Sequence, residues 1–281
     1  MPSPRIDLHT HTTASDGTTP PEVLVREAAQ AGLQVLALTD HDTTQGWDRA
    51  AAALPEGLSL VRGVELSCSR DGISLHLLGY LFDPTYRPLE HKMAQLRASR
   101  VSRAEQMVRL LVADGVPITW EQVRELALGT VGRPHIAQAL VESGLVAGVA
   151  DAFTPEWIGT RGRYWGSKLE LDVLEAIALV RAAGGVTVFA HPGAAARGRT
   201  VSDDVIADMA AAGLAGLEVD HPDHTPEARA HLRGLAAGLG LLATGSSDFH
   251  GANKTVGLGQ NLTHPDVYDA LLSPATGTAV L

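Results

Sequence analysis

VLEAIALVRAAGGVTVFAH (Val173–His191) holds a helical pattern, a glycine stop, a short apolar strand and a terminal histidine in one run. The same unit recurs nearby. DDVIADMAAAG (203–213) leads into AGLEV, and PEARAHLRGLAAGLG (226–240) leads into LLATGSS. Helices that alternate with short apolar strands point to βα units and a mostly parallel sheet.

The N-terminal third follows a similar rule. RIDLH reads as a strand, and TPPEVLVREAAQAG as a helix with Thr18 or Thr19 as cap and Gly32 as stop. VLALT is the next strand, and TTQGWDRAAAAL the next helix. LSLVRGVELSC and ISLHLLGYL are two further strands, joined by a hairpin at Arg70-Asp71-Gly72. From about Leu89 to Gly148 no strand pattern occurs, and three helical stretches stand in its place. The count is seven strands. The expected fold is α/β: a distorted (β/α)7 relative of the eight-stranded barrel, formed by residues 1–87 and 166–281. A helical insertion at 88–165 is expected to cover the mouth.

Composition narrows the function. The 281 residues are 45% hydrophobic and 19% charged, as in a soluble globular protein. A formal net charge of −10 argues against a duplex nucleic-acid partner, whereas a small anion could still be drawn to a locally positive site. No apolar run is long enough to span a bilayer. The single cysteine, Cys68, precludes an intrachain disulfide and fits a reducing cytosol. A cytoplasmic location is expected, and no obligate protein partner is evident.

Barrel chemistry gathers at the C-terminal ends of strands. His9 and His11 end the first strand, and Asp40-His41-Asp42 the second. Glu65 lies late in the third, His76 within the fourth, and His191 at the end of the fifth. Asp220-His221 end the sixth, and Asp248 and His250 follow the seventh. His9-Thr10-His11 alone suits an ordinary polar strand end as well as a metal site. A potential ligand on every strand favours the metal. Imidazoles with carboxylates suit Zn, Mn or Fe. With His9, His11, His41, His76, His191 and His250 neutral and Asp16, Glu65 and Asp248 ionised, two divalent ions (+4 against −3) leave the site at +1. A third ion leaves it at +3. Either attracts a phosphate dianion, and a bridging water would be acidified into a nucleophile.

Asp7, Asp40 and Asp42 could bind an ion or orient an imidazole from behind. His135 could pack or cap within the insertion. Arg97, Arg100, Arg103 and Arg109 read as a solvated helix face. Trp157 and Trp165 could stack a base or serve as packing.

Taken together, DLHTH (7–11), SDG (15–17), LTDHD (38–42), GVELS (63–67), LHLLGY (75–80), AHPG (190–193) and SDFHG (247–251) form an ordered set across nearly the whole chain. The chain resembles the PHP family, the polymerase and histidinol phosphatase superfamily of metal-dependent phosphoesterases. LTDHDT, GRPHIA and LEVDHPDHT are similar to its branch acting on nucleoside 3′,5′-bisphosphates and the 5′ ends of short RNA. The resemblance implies a seven-strand barrel with an insertion between strands four and five. It also implies a trinuclear site: His9, His11, Glu65 and Asp248 on one ion, Glu65, His76 and His191 on a second, and Asp16, His41 and His250 on a third. The bridging water would then be held among Glu65, His9, His11, His76, His191 and Asp248. Two or three Mn, Fe or Zn ions are implied, with a small phosphorylated substrate. Arg133 is the best match for holding a non-reacting phosphate. Arg161, Arg163, Lys168, His135, His221 and His224 are further candidates for substrate contact.

A histidinol-phosphate-type phosphatase is the alternative. An amidohydrolase-type deacylase is disfavoured, because that class wants a mid-barrel lysine and the third and fourth strands offer Glu65 and His76. A non-catalytic barrel would lack ligands, and none is missing.

Overall fold

The computed structural model describes residues 3–160 and 162–281, so Arg161 lies outside the described residues. Strands β1 (Ile6–Asp7), β2 (Val35–Leu38), β3 (Ser59–Arg70) and β4 (Ile73–Tyr80) come first in the chain. β5 (Leu171–Asp172), β6 (Val186–Phe189), β7 (Gly216–Asp220) and β8 (Leu242–Gly245) follow. Seven of them form one path, β1-β2-β3-β4-β6-β7-β8. A parallel bridge from Thr10 to Phe249 joins the ends of that path, with the His11 amide donating to the Phe249 carbonyl at 2.8 Å. The ring is a distorted, nearly closed barrel, as expected from the sequence.

Two details depart from the reading of the sequence. β5 is an eighth strand of two residues, paired off the path with the far end of β3. It is too short to show a period. β4 runs antiparallel to β3, as the expected hairpin requires, and also to its other neighbour, β6. Its first half therefore stands at the rim where the other strands end. His76 pairs with Ser67 in that register, and its carbonyl accepts from the Ala190 amide next to His191. The hairpin turns at Asp71-Gly72, both with positive φ (52° and 68°), as a two-residue turn between twisted strands requires.

The barrel helices bury one stripe each. In α2 (Trp47–Ala52) that stripe is Trp47 and Ala50, and in α1 (Pro21–Gln30) it is Leu24, Val25 and Ala28. Its start differs from expectation: no side chain caps it, and Thr18 Oγ1 instead accepts the Ala252 amide. The helix Pro226–Leu239 is capped by Thr225 and stops at Gly240, in the left-handed conformation glycine tolerates best.

Between β4 and β5 lie α3 (Arg87–Ala113), α4 (Trp120–Glu125) and α5 (Arg133–Glu142). The first turns of α3 put Leu89 and Met93 into the barrel's apolar cluster. Its last turns put Met107, Val108 and Leu111 into a separate cluster with Ile136 and Leu140 of α5. Gly129 approaches the loop after β1 so closely that a Cβ there would meet the Ala14 carbonyl oxygen at 2.2 Å. The helical layer is thus pressed against the segment carrying His11 and Asp16.

Candidate metal centre

The nine expected ligands meet at one end of the barrel, with Glu65 at their centre. Its Oε1 lies 2.9 Å from Nδ1 of His76 and 3.0 Å from Nε2 of His191. Its Oε2 lies 3.0 Å from Nδ1 of His41, 3.2 Å from Nε2 of His11 and 3.4 Å from Nε2 of His9. Asp248 Oδ1 faces Nε2 of both His9 and His11 at 3.4 and 3.5 Å. Asp16 lies 3.5–3.7 Å from His250, His41 and His11. Three sets of donor atoms are each close enough to share an ion: His11, Asp16, His41 and His250; His9, His11 and Asp248; and His41, Glu65 and His76. His11 and His41 each belong to two sets. The backbone explains the convergence. His41 bridges to Glu65 across the rims of β2 and β3, and His9 and His11 lie two apart on an extended segment.

The donor set fits divalent metal. Nδ1 of His41 and of His76 are buried and make no hydrogen bond, although each lies within 3.0 Å of a Glu65 oxygen. A buried ring nitrogen without a proton partner is costly unless a Lewis acid takes its lone pair. Electrostatics agree. Burial alone would raise the Glu65 carboxyl, but His76, His41 and His9 outweigh it and hold it well below the usual range. Burial, with Arg100, pushes His41 well down, and burial with Lys254 and His11 pushes His250 to about 3. At these two rings and Glu65 those are the protonation states that metal ligation needs, whereas at His9 the Glu218, Glu65 and Asp248 carboxylates outweigh burial and raise the imidazole well above its usual range, so an ion there would displace a proton. Asp42, His191 and Asp248 also hold positive φ (55°, 34° and 53°), a strain that only the surrounding contacts maintain.

Supporting residues enclose this cluster. Glu218 is buried and was not singled out in the sequence, because it sits inside the apolar strand AGLEV. Its Oε1 lies 3.0 Å from Nδ1 of His9, and its Oε2 accepts the His191 amide at 2.7 Å. Strand alternation was the available signal, since it turns Glu218 inward. Asp7 accepts the amides of Ser247 and Gly259. Asp40 accepts from Thr12 and Ser15 and so folds the loop that delivers Asp16. Asp42 accepts from Ser67 and from Arg100 Nε at 2.6 Å. All three aspartates brace the site from behind.

A cavity of about 1030 Å³ opens over the cluster. Asp16, His41, His76, His191 and His250 line it, and Arg100, Arg103, Arg133 and Lys168 add positive charge to its wall. This corrects the reading of α3 as a solvated basic face. Arg100 and Arg103 are buried, and Arg97 donates to the Asp42 carbonyl, whereas Arg109 is exposed as expected. The α3 residues at 93, 96, 100, 103 and 107 form one inward stripe that includes both arginines. Neither Arg103 nor Arg133 has a carboxylate partner among the described residues. Burial, then the neighbouring arginines, lower Arg103 to about 9, and burial with Arg100 lowers Arg133 to about 10. Lys254, also on the wall, reaches Asp248 Oδ2 at 2.6 Å.

The other sequence candidates lie elsewhere. Arg163 is exposed and pairs with Asp114 at 2.7 Å. His135 accepts the Gly132 amide and lines a smaller neighbouring pocket. His221 lies behind Asp248, with Nε2 3.2 Å from its Oδ2. His224 spends both ring nitrogens on the backbone, at Val219 and Gly193. Trp157 packs against the helical layer's core, whereas Trp165 faces the cavity.

A family model described as the PHP domain matches residues 7–117. The chain is 35% identical over 270 residues to a 5′-3′ exoribonuclease of Haemophilus influenzae, covering 95% of this chain and 97% of that one. It is 37% identical over 257 residues to a 3′,5′-nucleoside bisphosphate phosphatase of Chromobacterium violaceum, covering 87% of each. Among solved structures, a Bifidobacterium adolescentis protein provisionally described as a metal-dependent phosphoesterase superposes with a TM-score of 0.93 at 40% identity, over 98% of both chains.

Proposed function

The chain belongs to the PHP family, and on that premise we propose that it is a metal-dependent phosphoesterase acting on small nucleotides. Nucleoside 3′,5′-bisphosphates and 5′-phosphorylated short RNA are the substrates that its site and its relatives favour. One observation carries the reading: five of the nine clustered side chains line a cavity whose wall also holds buried Arg103 and half-buried Arg133, neither with a carboxylate partner among the described residues. A buried, unpaired guanidinium is costly, and an anionic ligand removes that cost.

We assign the metal positions to His9, His11, Asp16, His41, Glu65, His76, His191, Asp248 and His250, for two or three Mn, Fe or Zn ions. Such ions supply Lewis acidity to phosphoryl oxygens and lower the pKa of water toward neutrality. The chain's own groups do the rest. Glu218 holds Nδ1 of His9, so that Nε2 of that ring faces Glu65 and Asp248. Arg133, with Lys168 on the same cavity wall, grips the non-reacting phosphate and so places the reacting one over the cluster. Residues 88–165 act as an insertion over the mouth of the barrel formed by 1–87 and 166–281. We place the protein in the cytoplasm, in keeping with its one buried free thiol, Cys68. Among the described residues, no helix is long and apolar enough to cross a membrane.

Parallel assays on adenosine 3′,5′-bisphosphate, a 5′-phosphorylated ribotrinucleotide and histidinol phosphate test the reading. Nucleotide substrates should be hydrolysed with at least about tenfold higher kcat/KM. Faster turnover of histidinol phosphate would assign the site to the other phosphatase class.

A further inference from the structure

Few large apolar side chains of this protein are exposed, and among the described residues only two of them are aromatic: Phe153 and Trp165, at 37% and 36%. They come from different segments. Phe153 follows the short 3-10 turn 149–152, and Trp165 lies near the end of the helical layer. Both nevertheless line the same cavity as the ligand cluster. Their positions are not forced by packing. An apolar cluster lies close at hand and takes in Trp120, Trp157 and Tyr164, while these two rings stay outside it.

Arg133 ties the pair together. Its guanidinium carbon lies 5.2 Å from the Phe153 ring and 5.8 Å from the Trp165 ring. Its only other polar contact among the described residues is a long one, 3.4 Å, to the Ile158 carbonyl. Two partly exposed aromatic rings beside a cation with no carboxylate partner among the described residues suit a ligand that is planar at one end and anionic at the other. The cavity, about 1030 Å³, is at the upper limit for small-molecule sites and far larger than a lone phosphate requires.

We propose that Phe153 and Trp165 form a stacking platform for the nucleobase of the substrate, with Arg133 between them directing the attached sugar-phosphate. This rests on the nucleotide phosphoesterase reading given above. Stacking uses the face that every base possesses, so the platform selects for the presence of a base with little regard to which base it is. The amide and carboxylate side chains that read base edges in other proteins are not needed for this.

Calorimetric titration of the metal-replete full chain separates the platform from the hydrolytic reading. The probes are two non-hydrolysable phosphonates: an adenosine 5′-methylenephosphonate and its counterpart with ribose alone. The base should tighten binding by about fivefold to a hundredfold, the worth of one aromatic stack. A cytidine probe should bind within about tenfold of the adenosine one. Trp165→Ala and Phe153→Ala should each remove much of the advantage, the double variant should abolish it, and Trp165→Phe should keep most of it. Affinity for the ribose probe should change little in all four. Equal binding of the two probes by the wild type, or equal weakening of both by the alanine variants, would overturn the platform. Hydrolysis of adenosine 3′,5′-bisphosphate is measured on the same samples. Base-dependent binding without hydrolysis would support the platform while removing the phosphoesterase reading.

Discussion

Nδ1 of His9 lies 3.0 Å from Oε1 of Glu218, with both side chains buried. The contact fixes one ring nitrogen of His9 and leaves Nε2 for the cluster. Ser246 Oγ also bonds that Glu218 oxygen, and the His191 amide bonds the other. Glu218→Gln keeps the shape but loses the charge facing the ring. Metal affinity is expected to fall by about tenfold to a hundredfold in competition with a chelating dye. Unchanged affinity would show that Glu218 does not orient the site.

Arg100 joins the helical layer to the barrel through Asp42, which is fully buried. Removing the cation strands a buried carboxylate. Arg100→Met should lower the unfolding free energy by about 3–5 kcal/mol in chemical denaturation. A loss under about 1 kcal/mol would show that the Arg100–Asp42 pair does not tie the layer to the barrel.

Arg133 carries the phosphate grip. Arg133→Ala should raise KM for a nucleoside bisphosphate by about tenfold or more, as loss of a charge-assisted hydrogen bond implies. The effect on kcat should be smaller. A KM that does not move would remove Arg133 from the substrate site.

Lys168 sets a pH limit. Burial, then Arg100, pull its ammonium from the ordinary 10.5 down to about 8. Below pH 8 it is charged and attracts phosphate; above, it is neutral. KM for a doubly phosphorylated substrate should therefore rise as pH passes 8, and Lys168→Arg should move that rise to higher pH. The stability sign is the opposite. Between about pH 8 and 10.5 the unfolded chain binds the extra proton, so stability gains with rising pH across that window. Lys168→Met should raise the Tm of the substrate-free protein at pH 7. A flat KM profile across pH 8 would show that Lys168 does not contact phosphate.

Much of this architecture was legible in the sequence because its units are local. Helix-stop-strand runs such as 173–191 declare themselves by period, and ligands at strand ends follow from barrel geometry. What escaped depends on pairing. The hairpin at Arg70-Asp71-Gly72 announces the reversal of β4 against β3, but its antiparallel pairing with β6, which sets mid-strand His76 beside the end of β6, leaves no trace in ISLHLLGYL. Glu218 is one acid in an apolar strand, and only its inward face reveals it. Arg100 and Arg103 look like a solvated stripe until the barrel rim is placed beneath them. The difference between Asp16 at the cluster and Asp40 behind it lies in loop closure, which residue type does not encode.

The cluster around Glu65 is the proposed seat of the catalytic metal. The most direct measurement is metal content by mass spectrometry on freshly purified protein, with phosphatase activity measured on the same sample. About two to three divalent ions per chain are expected. His9→Ala and Asp248→Ala should lose both bound metal and activity. Fewer than about two ions alongside undiminished hydrolysis, or full activity in either variant, would contradict it.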